Sequence, residues 1–419
     1  MSNRYIHHYS SLLENLEQAS LRRKLKVSES ASAPLMKING RHMLTFCSND
    51  YLGLANHPEL ATALKKGVDL YGAGSGASHM ISGHSLAHEQ LELALAKTLS
   101  AHIPEVKALF ISTGYMANVA CITGLSAGLN TSSSSTDKNS TVAHMSIYSE
   151  ELNHASLIDG VRLAHKQNNA AIHVYPHQDL ITLESLLQKD SNPFKLIITD
   201  AVFSMDGNIA KIEQLLQLAE KYDALLMIDD AHGFGVLGQH GHGALEHFGI
   251  TATDPRASRI IYIGTLGKAA GLSGAFIAAH PSLTEWVMQK GRAYIYTTAS
   301  PPSTAYGLLK SLELMADETH RKNLTSNIAY WKGNLHLQRW QLMPSDTAIQ
   351  PILIGSNEAA LNAAKALDAA GIWVPAIRPP TVPSGSARLR VTLSASHTHQ
   401  QIDSLIKSLH DIENQLPTQ

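Results

Sequence analysis

The chain has 419 residues, of which 44% are hydrophobic and 16% are charged. This length exceeds what one hydrophobic core usually organises, so we expect two or three domains. The formal net charge of −2 leaves no excess of positive charge for phosphates, which argues against a nucleic-acid or membrane-surface partner. Two cysteines cannot form a disulfide framework, and no apolar run reaches membrane-spanning length. We therefore expect a cytoplasmic enzyme.

The first part of the chain is predicted to be a helical arm. Leucines at helical spacing predict an amphipathic helix over residues 11–26, and the arm as a whole is expected to span residues 1–40. The next predicted helix begins at Pro58, because proline is favoured at the first helical position and apolar residues follow on one face.

In the middle of the chain, short apolar runs alternate with helical patterns. Continuous apolar runs suit strands that are buried on both faces, which predicts an α/β fold with a mostly parallel sheet covered by helices. Only a short glycine-rich link separates the last two runs, so one strand of the sheet is expected to be antiparallel. The runs are 108–111, 172–175, 196–199, 225–228, 260–263 and 275–279.

The pattern changes after Pro302. A long helical region leads into a smaller α+β unit, so we predict a catalytic domain over residues 41–308 and a C-terminal domain over residues 309–419. The polar segment 130–141 lacks apolar residues and is interpreted as a solvated loop. The predicted elements of the C-terminal domain are strands at 349–354 and 387–393 and a helix at 356–370.

Two neighbouring strand ends carry residues suited to catalysis. The run 225–228 ends in Asp229, and the run 260–263 leads into a glycine-rich turn that contains Lys268. Ligands of open α/β sheets bind at the carboxyl ends of the strands, so this carboxylate and this amine are expected in one crevice. Pyridoxal phosphate chemistry needs such a pair: an amine that holds the cofactor as a Schiff base, and an acid that keeps its pyridine nitrogen protonated. Taken singly, either residue is more often a helix cap or a surface group.

Three other motifs in these stretches are weaker. The glycines of segment 233–238 match the dinucleotide-binding fingerprint, but no clean amphipathic helix follows them. Gly267 and Lys268 resemble the end of a P-loop, but the first glycine and the hydroxyl residue of that motif are missing. His240 and His242 are spaced like metal ligands, yet this spacing in a glycine-rich loop is unspecific, so no metal site is predicted.

A third strand end predicts an anion site. Residues 112–118 follow the run 108–111 and open a helix with an apolar face. The free N–H groups and the dipole of a helix N-terminus favour anions such as phosphate. The sequence therefore predicts a phosphate cradle at this turn.

Seven segments in this order closely resemble the α-oxoamine synthases, pyridoxal-phosphate enzymes of the aspartate-aminotransferase fold (fold type I). The resemblance runs from about residue 20 to residue 410. It implies a seven-stranded, mostly parallel sheet flanked by helices, with a smaller C-terminal domain and an N-terminal arm. The matching segments are SNDYLGL (48–54), GAGSGASHMISGHS (72–85), ISTGYMANVA (111–120), ELNHASLIDG (151–160), VFSMDG (202–207), DDAHGFGVLG (229–238) and GTLGKAAGLSGA (264–275).

The resemblance also implies roles for individual residues around the cofactor. Lys268 would hold pyridoxal phosphate and take the Cα proton of the amino acid. Asp229 would pair with the pyridine nitrogen, and His154 would stack on the ring. His232 and Ser204 would contact the ring hydroxyl.

A second group of residues is implied for the phosphate and the substrate. Gly114, Tyr115 and Thr265 would help to hold the phosphate, and Thr298 would reach the phosphate of a partner subunit. The residues expected near the amino-acid substrate are Arg22, Asn49, Thr381 and Arg390, of which the last would bind the carboxylate.

The run AIRPPTVPSGSARLRVTLSASHT (376–398) resembles one branch of the family. Members of this branch condense L-alanine with a pimeloyl thioester and release CO₂ in biotin biosynthesis. The resemblance implies that activity, a homodimer with sites at its interface, and an acyl group carried by coenzyme A or by an acyl carrier protein. The alternatives are a glycine C-acetyltransferase-like enzyme, another α-oxoamine synthase, or a catalytically silent partner subunit. A silent subunit would be expected to lack the lysine, and Lys268 is present.

Overall fold

The structure is a computed structural model that describes residues 3–129 and 144–415. The predicted loop at 130–141 lies outside the described residues. Within these two ranges, no helix is both long enough and apolar enough to cross a membrane.

The described residues form strands and helices that are numbered here in chain order. The strands are β1 (Leu35–Ile38), β2 (Arg41–Thr45), β3 (Lys107–Ile111), β4 (Met145–Glu150), β5 (Ala171–Tyr175), β6 (Phe194–Asp200), β7 (Ala224–Asp229), β8 (Ile260–Thr265), β9 (Ala275–Ala279), β10 (Gln341–Leu342), β11 (Ile349–Gly355), β12 (Ile372–Trp373), β13 (Ala376–Ile377) and β14 (Ala387–Thr392). The helices are α1 (Arg4–Gln18), α2 (Pro58–Tyr71), α3 (Leu86–Leu99), α4 (Gly114–Ser126), α5 (Ala155–Asn168), α6 (Leu180–Lys189), α7 (Ile212–Lys221), α8 (Ala244–His247), α9 (Pro281–Lys290), α10 (Arg292–Ile295), α11 (Pro302–Ala316), α12 (Glu318–Asn334), α13 (Asn357–Ala369) and α14 (His399–Gln415).

The largest sheet confirms the predicted α/β architecture. Its seven strands are ordered β3-β9-β8-β7-β6-β4-β5, and β9 pairs antiparallel with both of its neighbours while the other pairs are parallel. Six of these strands match the six apolar runs. The pattern did not indicate β4, because Ser146, Ser149 and Glu150 interrupt its apolar side chains although the whole strand is buried.

Helix α4 is the central covering helix of this sheet. Its small side chains allow close approach, and a Cβ on Gly124 would stand 3.3 Å from the Gly291 nitrogen. Ile122 is fully buried in the same apolar core as the strand residues Ile147 and Ile261. Burial of one such side chain contributes about 2–3 kcal/mol. This packing fixes the N-terminus of α4 relative to the strand ends.

Among the described residues, internal contacts divide the chain into two compact units. The first consists of Leu52–Ser204 and Ile209–Arg321, and it contains the seven-stranded sheet. The second consists of Met1–Tyr51, Met205–Asn208 and Lys322–Gln419. The predicted division at residues 40 and 308 stays a prediction.

The N-terminal helix differs from its predicted bounds of 11–26. Helix α1 ends at Gln18, where Ser20 adopts a left-handed backbone with φ of 56°. It begins earlier than predicted because the Asn3 side chain caps it, accepting a hydrogen bond from the Tyr5 N–H. The helical spacing of the leucines continues to Leu21, beyond this turn, so the spacing alone predicted a helix that was too long at its C-terminal end.

The second unit holds two smaller sheets, ordered β1-β2-β12 and β10-β11-β14-β13. Strands β11 and β14 pair antiparallel, as expected for the runs at 349–354 and 387–393. Helix α13 lies within the predicted 356–370 range.

A buried histidine braces the end of β2 in this unit. The His397 ring stacks on Phe46, with the ring centroids 4.3 Å apart. Its Nδ1 accepts from the Ser394 N–H at 2.9 Å, and its Nε2–H donates to the Thr45 carbonyl at 2.9 Å. Burial lowers the pKa of His397 to about 4, so the ring is neutral near pH 7.

We predict that His397 makes this protein acid-sensitive. In the unfolded chain histidine titrates near pH 6.5, so between pH 6.5 and about 4 only the unfolded state takes up the proton. The free energy of unfolding therefore decreases as the pH falls through this window. Across that window, the free energy of unfolding of the parent should fall by on the order of 3 kcal/mol more than that of His397→Gln. Denaturant unfolding at several pH values measures this difference. The exposed neighbour His399, replaced by Gln, is the control, and parallel slopes for parent and His397→Gln would contradict the prediction.

Candidate active site

Three polar residues lie at one edge of the seven-stranded sheet. Strands β6, β7 and β8 are parallel neighbours, and their last residues are Asp200, Asp229 and Thr265. All three side chains are buried, and Asp200 stands beside Asp229 in the register of the two strands. The sheet therefore delivers two carboxylates and a hydroxyl to the edge where ligands of α/β folds bind.

Asp229 is held by donors on both of its carboxylate oxygens. The Asn118 side-chain amide donates to Oδ2 at 2.6 Å, and the Ala231 N–H donates to Oδ1 at 3.0 Å. The side chain is only 4% exposed. The carboxylate is thus fixed in one orientation before any ligand binds.

Lys268 lies in the turn between β8 and β9 and contacts His232 in the turn after β7. Its Nζ is 2.7 Å from the His232 Nε2. Partial desolvation lowers the pKa of His154, while the Asp229 charge raises it and the Lys268 charge lowers it. Both charges therefore lie within electrostatic reach of His154, and the structure brings together the four residues predicted to be catalytic.

A hydrogen-bonded chain that the sequence did not indicate links Asp229 to His154. The Asn118 amide also donates to the Ser156 Oγ at 2.8 Å, and that oxygen is 2.7 Å from the His154 Nδ1. The His154 N–H donates to Asp200 Oδ2 at 2.6 Å. Burial and the nearby Asp229 charge raise the pKa of Asp200 well above its ordinary value. Asn118 belongs to the segment 112–118, but its role becomes visible only in the folded structure, where it contacts Ser156 and Asp229.

The N-terminus of α4 forms an open cradle next to Thr265. Thr113 caps the helix by accepting from the Met116 N–H at 3.2 Å, which leaves the first N–H groups directed outwards. A Cβ on Gly114 or on Gly267 would have the Thr265 Oγ1 as its nearest neighbour, at 3.8 Å in both cases. The space between these backbone segments and the hydroxyl suits a phosphate group.

The remaining predicted cofactor residues lie at the margins of this edge. Tyr115 is partly exposed and donates its hydroxyl to Asp159 at 2.6 Å. Ser204 is half-buried in the turn after β6. Thr298 is exposed and bridges to the Ser78 backbone.

In the second unit, Arg390 on β14 is paired with Asn49. Both terminal nitrogens of the guanidinium donate to the Asn49 Oδ1 at 3.3 Å, and the Tyr51 hydroxyl donates to the same oxygen at 3.1 Å. Arg390 is 6% exposed. A buried guanidinium that shares a neutral amide oxygen can still take a carboxylate in bidentate geometry.

Arg22 and Thr381 lie together in a cavity of the same unit. The Thr381 hydroxyl accepts from Arg23 at 3.4 Å, and Arg22 forms an ion pair with Glu17 at 3.5 Å. The cavity measures about 790 Å³ and combines apolar side chains with three arginines. Its lining residues are Leu13, Leu16, Leu21, Arg22, Arg23, Ala376, Ile377, Arg378, Pro379, Pro380 and Thr381.

The sequence is similar to a known family and to named enzymes along nearly its whole length. The model of the family described as aminotransferase class I and II matches residues 41–409. The 8-amino-7-oxononanoate synthase of Janthinobacterium sp. (strain Marseille) is 51% identical over 416 residues, covering 99% of this chain and 100% of the relative. The enzyme of the same name from Leptothrix cholodnii is 49% identical, covering 96% of this chain and 98% of the relative. The chain belongs to the class I and II aminotransferase family and groups within it with the 8-amino-7-oxononanoate synthases.

Solved structures of this family have the same fold. A serine palmitoyltransferase from S. paucimobilis with bound pyridoxal phosphate–myriocin has a TM-score of 0.84 at 26% identity, covering 97% of both chains. The 8-amino-7-oxononanoate synthase from Francisella tularensis has a TM-score of 0.69 at 29% identity, covering 89% of this chain and 97% of that one.

The cofactor of this family is pyridoxal phosphate, and the residues of the site fit it. A buried carboxylate, Asp229, suits a protonated ring nitrogen, and the amine of Lys268 suits the aldehyde. The open cradle at Gly114 and Thr265 suits the phosphate. These residues therefore match three of the polar groups of this cofactor: the ring nitrogen, the aldehyde and the phosphate.

We predict that Asn118→Ala weakens cofactor binding as well as folding. It removes a donor from the buried Asp229 oxygen, which should cost about 1–3 kcal/mol, and it breaks the link to His154. Titration of the apoenzyme with pyridoxal phosphate should show at least about tenfold weaker binding, which corresponds to roughly 1.4 kcal/mol. Asn168→Ala is the matched control, because its amide makes two similar bonds, to Thr123 and Ser126, away from the site. Equal cofactor affinity in the two variants would refute the assignment.

Proposed function

We propose that the chain catalyses the 8-amino-7-oxononanoate synthase reaction, the decarboxylative condensation of L-alanine with a pimeloyl thioester in biotin biosynthesis. The observation that carries the proposal is full-length identity of about half to enzymes of that name, in a chain that retains the Lys268 and Asp229 pair. In the reaction, a bond forms between the alanine Cα and the pimeloyl carbonyl carbon. The thiol leaves, the bond from Cα to the carboxylate breaks, and the nine-carbon aminoketone and CO₂ are released.

The residues at the sheet edge divide the proton chemistry between them. Pyridoxal phosphate, when bound, accepts the electron pair that deprotonation leaves on Cα. Asp229 holds a proton on the ring nitrogen, and the Asn118 donor keeps its carboxylate aligned for this role. The Lys268 amine takes the Cα proton, with the His232 Nε2 at 2.7 Å as its neighbour.

The other predicted residues bind and orient. His154, fixed through the Ser156 hydroxyl, would cover one face of the cofactor, and Ser204 would contact its ring hydroxyl. The Arg390 guanidinium takes the alanine carboxylate, with Asn49 holding the guanidinium in place. Binding through two donors fixes the orientation of the carboxylate, which helps to select the bond from Cα that breaks.

The cavity in the second unit supports a dicarboxylate-derived acyl group. Leucines and prolines provide apolar walls for methylenes, and Arg22, Arg23 and Arg378 provide positive charge for an anionic end. Arg378 also donates to the Ser20 carbonyl, which orders the segment after α1. A pimeloyl group has five methylenes and a terminal carboxylate, so both features of the cavity match it.

We further propose a cytoplasmic homodimer. The exposed Thr298 is available to a partner subunit, and both cysteines are free thiols, as in a reducing compartment. The acyl carrier is either coenzyme A or an acyl carrier protein.

We predict that borohydride reduction of the yellow holoenzyme labels Lys268 alone. The reason is that its amine shares the sheet edge with Asp229 and lies against His232. Peptide mapping by mass spectrometry identifies the modified residue. Lys290→Arg serves as a control that should label normally, whereas recovery of the label on any lysine other than Lys268 would overturn the assignment.

We predict that a pimeloyl thioester is preferred over an acetyl thioester by several hundred-fold in kcat/KM with L-alanine. Each buried methylene contributes about 0.8 kcal/mol, so four or five of them give roughly 3–4 kcal/mol. Steady-state kinetics with acetyl, succinyl and pimeloyl thioesters measure this series. Equal values, or glycine with an acetyl thioester as the best pair, would instead indicate a glycine C-acetyltransferase.

A further inference from the structure

A cluster of histidines lies in the first unit, on a segment to which the proposed reaction assigns no role. His79 begins a π-helical turn over His79–Gly83, His84 follows that turn, and His88 lies in the first turn of α3. One nitrogen from each of the three rings lies within 4.8 Å of the others. The cluster borders a cavity of about 330 Å³, whose polar lining includes His79, His84, Glu89 and Glu92.

Hydrogen bonds to the Nε2 atoms of His84 and His88 determine which nitrogen of each ring carries the proton. The His84 Nε2 is 3.2 Å from Glu89 Oε2, and a carboxylate favours the proton on that nitrogen. The His88 Nε2–H donates to the Ser300 carbonyl at 2.9 Å. Both rings therefore present Nδ1 as the unprotonated nitrogen. In metal sites, ligating histidines typically donate their other N–H to a carboxylate or a backbone carbonyl, as these two do.

His79 has unused bonding capacity. Its Nδ1 is 3.0 Å from the His84 Nδ1, and among the described residues its Nε2 is buried without a hydrogen-bond partner. The residue is 9% exposed. Burial, with the neighbouring His88 and His84, lowers its pKa to about 3, so the ring is a neutral ligand near pH 7. Because no partner among the described residues holds a proton on Nε2, the ring can carry its proton on either nitrogen, which leaves Nδ1 able to bind an ion.

The spacing of these nitrogens suits a tetrahedral ion. Metal–nitrogen bonds of about 2.0–2.1 Å place two ligand nitrogens roughly 3.3 Å apart in a tetrahedral site. The 3.0 Å separation of the His79 and His84 Nδ1 atoms is close to this value. The His88 Nδ1 accepts from the Ser85 N–H at 3.0 Å and also lies 3.0 Å from the Ser85 Oγ, and an ion at this nitrogen would replace both contacts.

We propose that His79, His84 and His88 bind one divalent transition-metal ion of the zinc and copper class, with Glu89 orienting His84. Three imidazoles select such ions over magnesium and calcium, which prefer oxygen ligands. The site is separate from the cofactor residues and does not depend on which reaction the enzyme catalyses.

The bound ion would stiffen the segment that carries Thr298. Ser75 donates to the Ala299 carbonyl at 2.6 Å, and the Ala299 N–H donates to the Ala77 carbonyl at 2.9 Å. The Ser300 Oγ donates to Ser112 Oγ at 3.2 Å, just before the phosphate cradle. Occupancy should therefore raise the melting temperature of the holoenzyme by a few degrees.

The test measures Zn²⁺ binding to untagged, metal-free holoenzyme by equilibrium dialysis. The parent should bind one ion per chain at this site, and His79→Gln and His84→Gln should each weaken binding by at least about tenfold. Glu89→Gln should weaken it by about tenfold, because it removes the carboxylate that orients His84. His247→Gln, which changes an exposed histidine elsewhere in the same unit, should bind like the parent.

Copper identifies the ligands directly. The electron paramagnetic resonance spectrum of Cu²⁺-loaded holoenzyme should show coupling to at least two imidazole nitrogens, and this coupling should decrease in His84→Gln. Unchanged melting curves and cofactor absorbance of the metal-free variants confirm that they are folded. Parent-like Zn²⁺ affinity in both His79→Gln and His84→Gln, or a copper spectrum with oxygen ligands alone, would overturn the proposal.

Discussion

Asp229 is a carboxylate buried at the end of a parallel strand, and much of the first unit is arranged to keep it there. Removing such a group from water costs several kcal/mol unless donors or an opposite charge compensate. The Asn118 amide and the Ala231 N–H provide these donors. The second carboxyl group, Asp200, lies beside it, and burial together with the Asp229 charge raises the pKa of Asp200 well above its ordinary value. The Asp229 charge thus influences the pKa of both Asp200 and His154.

Helix α4 connects this charge balance to the phosphate cradle. The same helix supplies Asn118 to Asp229 and its free N-terminal N–H groups to the space beside Thr265. It keeps both in register with the strands because its small residues pack closely, as at Gly124 against Gly291. A shift of α4 along the sheet would therefore disturb the Asn118 contact with Asp229 and the cradle beside Thr265 together.

The two histidine groups of the first unit serve different chemistry. Burial lowers the pKa of His154, which the Asp229 charge raises and the Lys268 charge lowers further, and the His232 Nε2 lies 2.7 Å from the Lys268 Nζ. His79 lies in an apolar environment that suppresses its charge and leaves one nitrogen unsatisfied. Neutral imidazoles are suited to binding a metal ion, whereas imidazoles beside acids and amines are suited to proton transfer.

The sequence by itself determined the strands with continuous apolar runs and the one antiparallel strand, because these depend on local hydrophobicity and on the length of the connections. It also indicated the pair Asp229 and Lys268, because the carboxyl ends of neighbouring parallel strands lie at one edge of a sheet. Its local periodicity missed β4, whose serines and glutamate are buried by neighbours on both sides, and it misplaced the end of α1, where a single left-handed residue stops the helix. Tertiary structure alone decided the roles of Asn118 and Ser156, since their partners lie far away in the chain. It also decided that His79 and His84 meet across a π-helical turn, because hydrogen-bond partners and burial are properties of the folded chain.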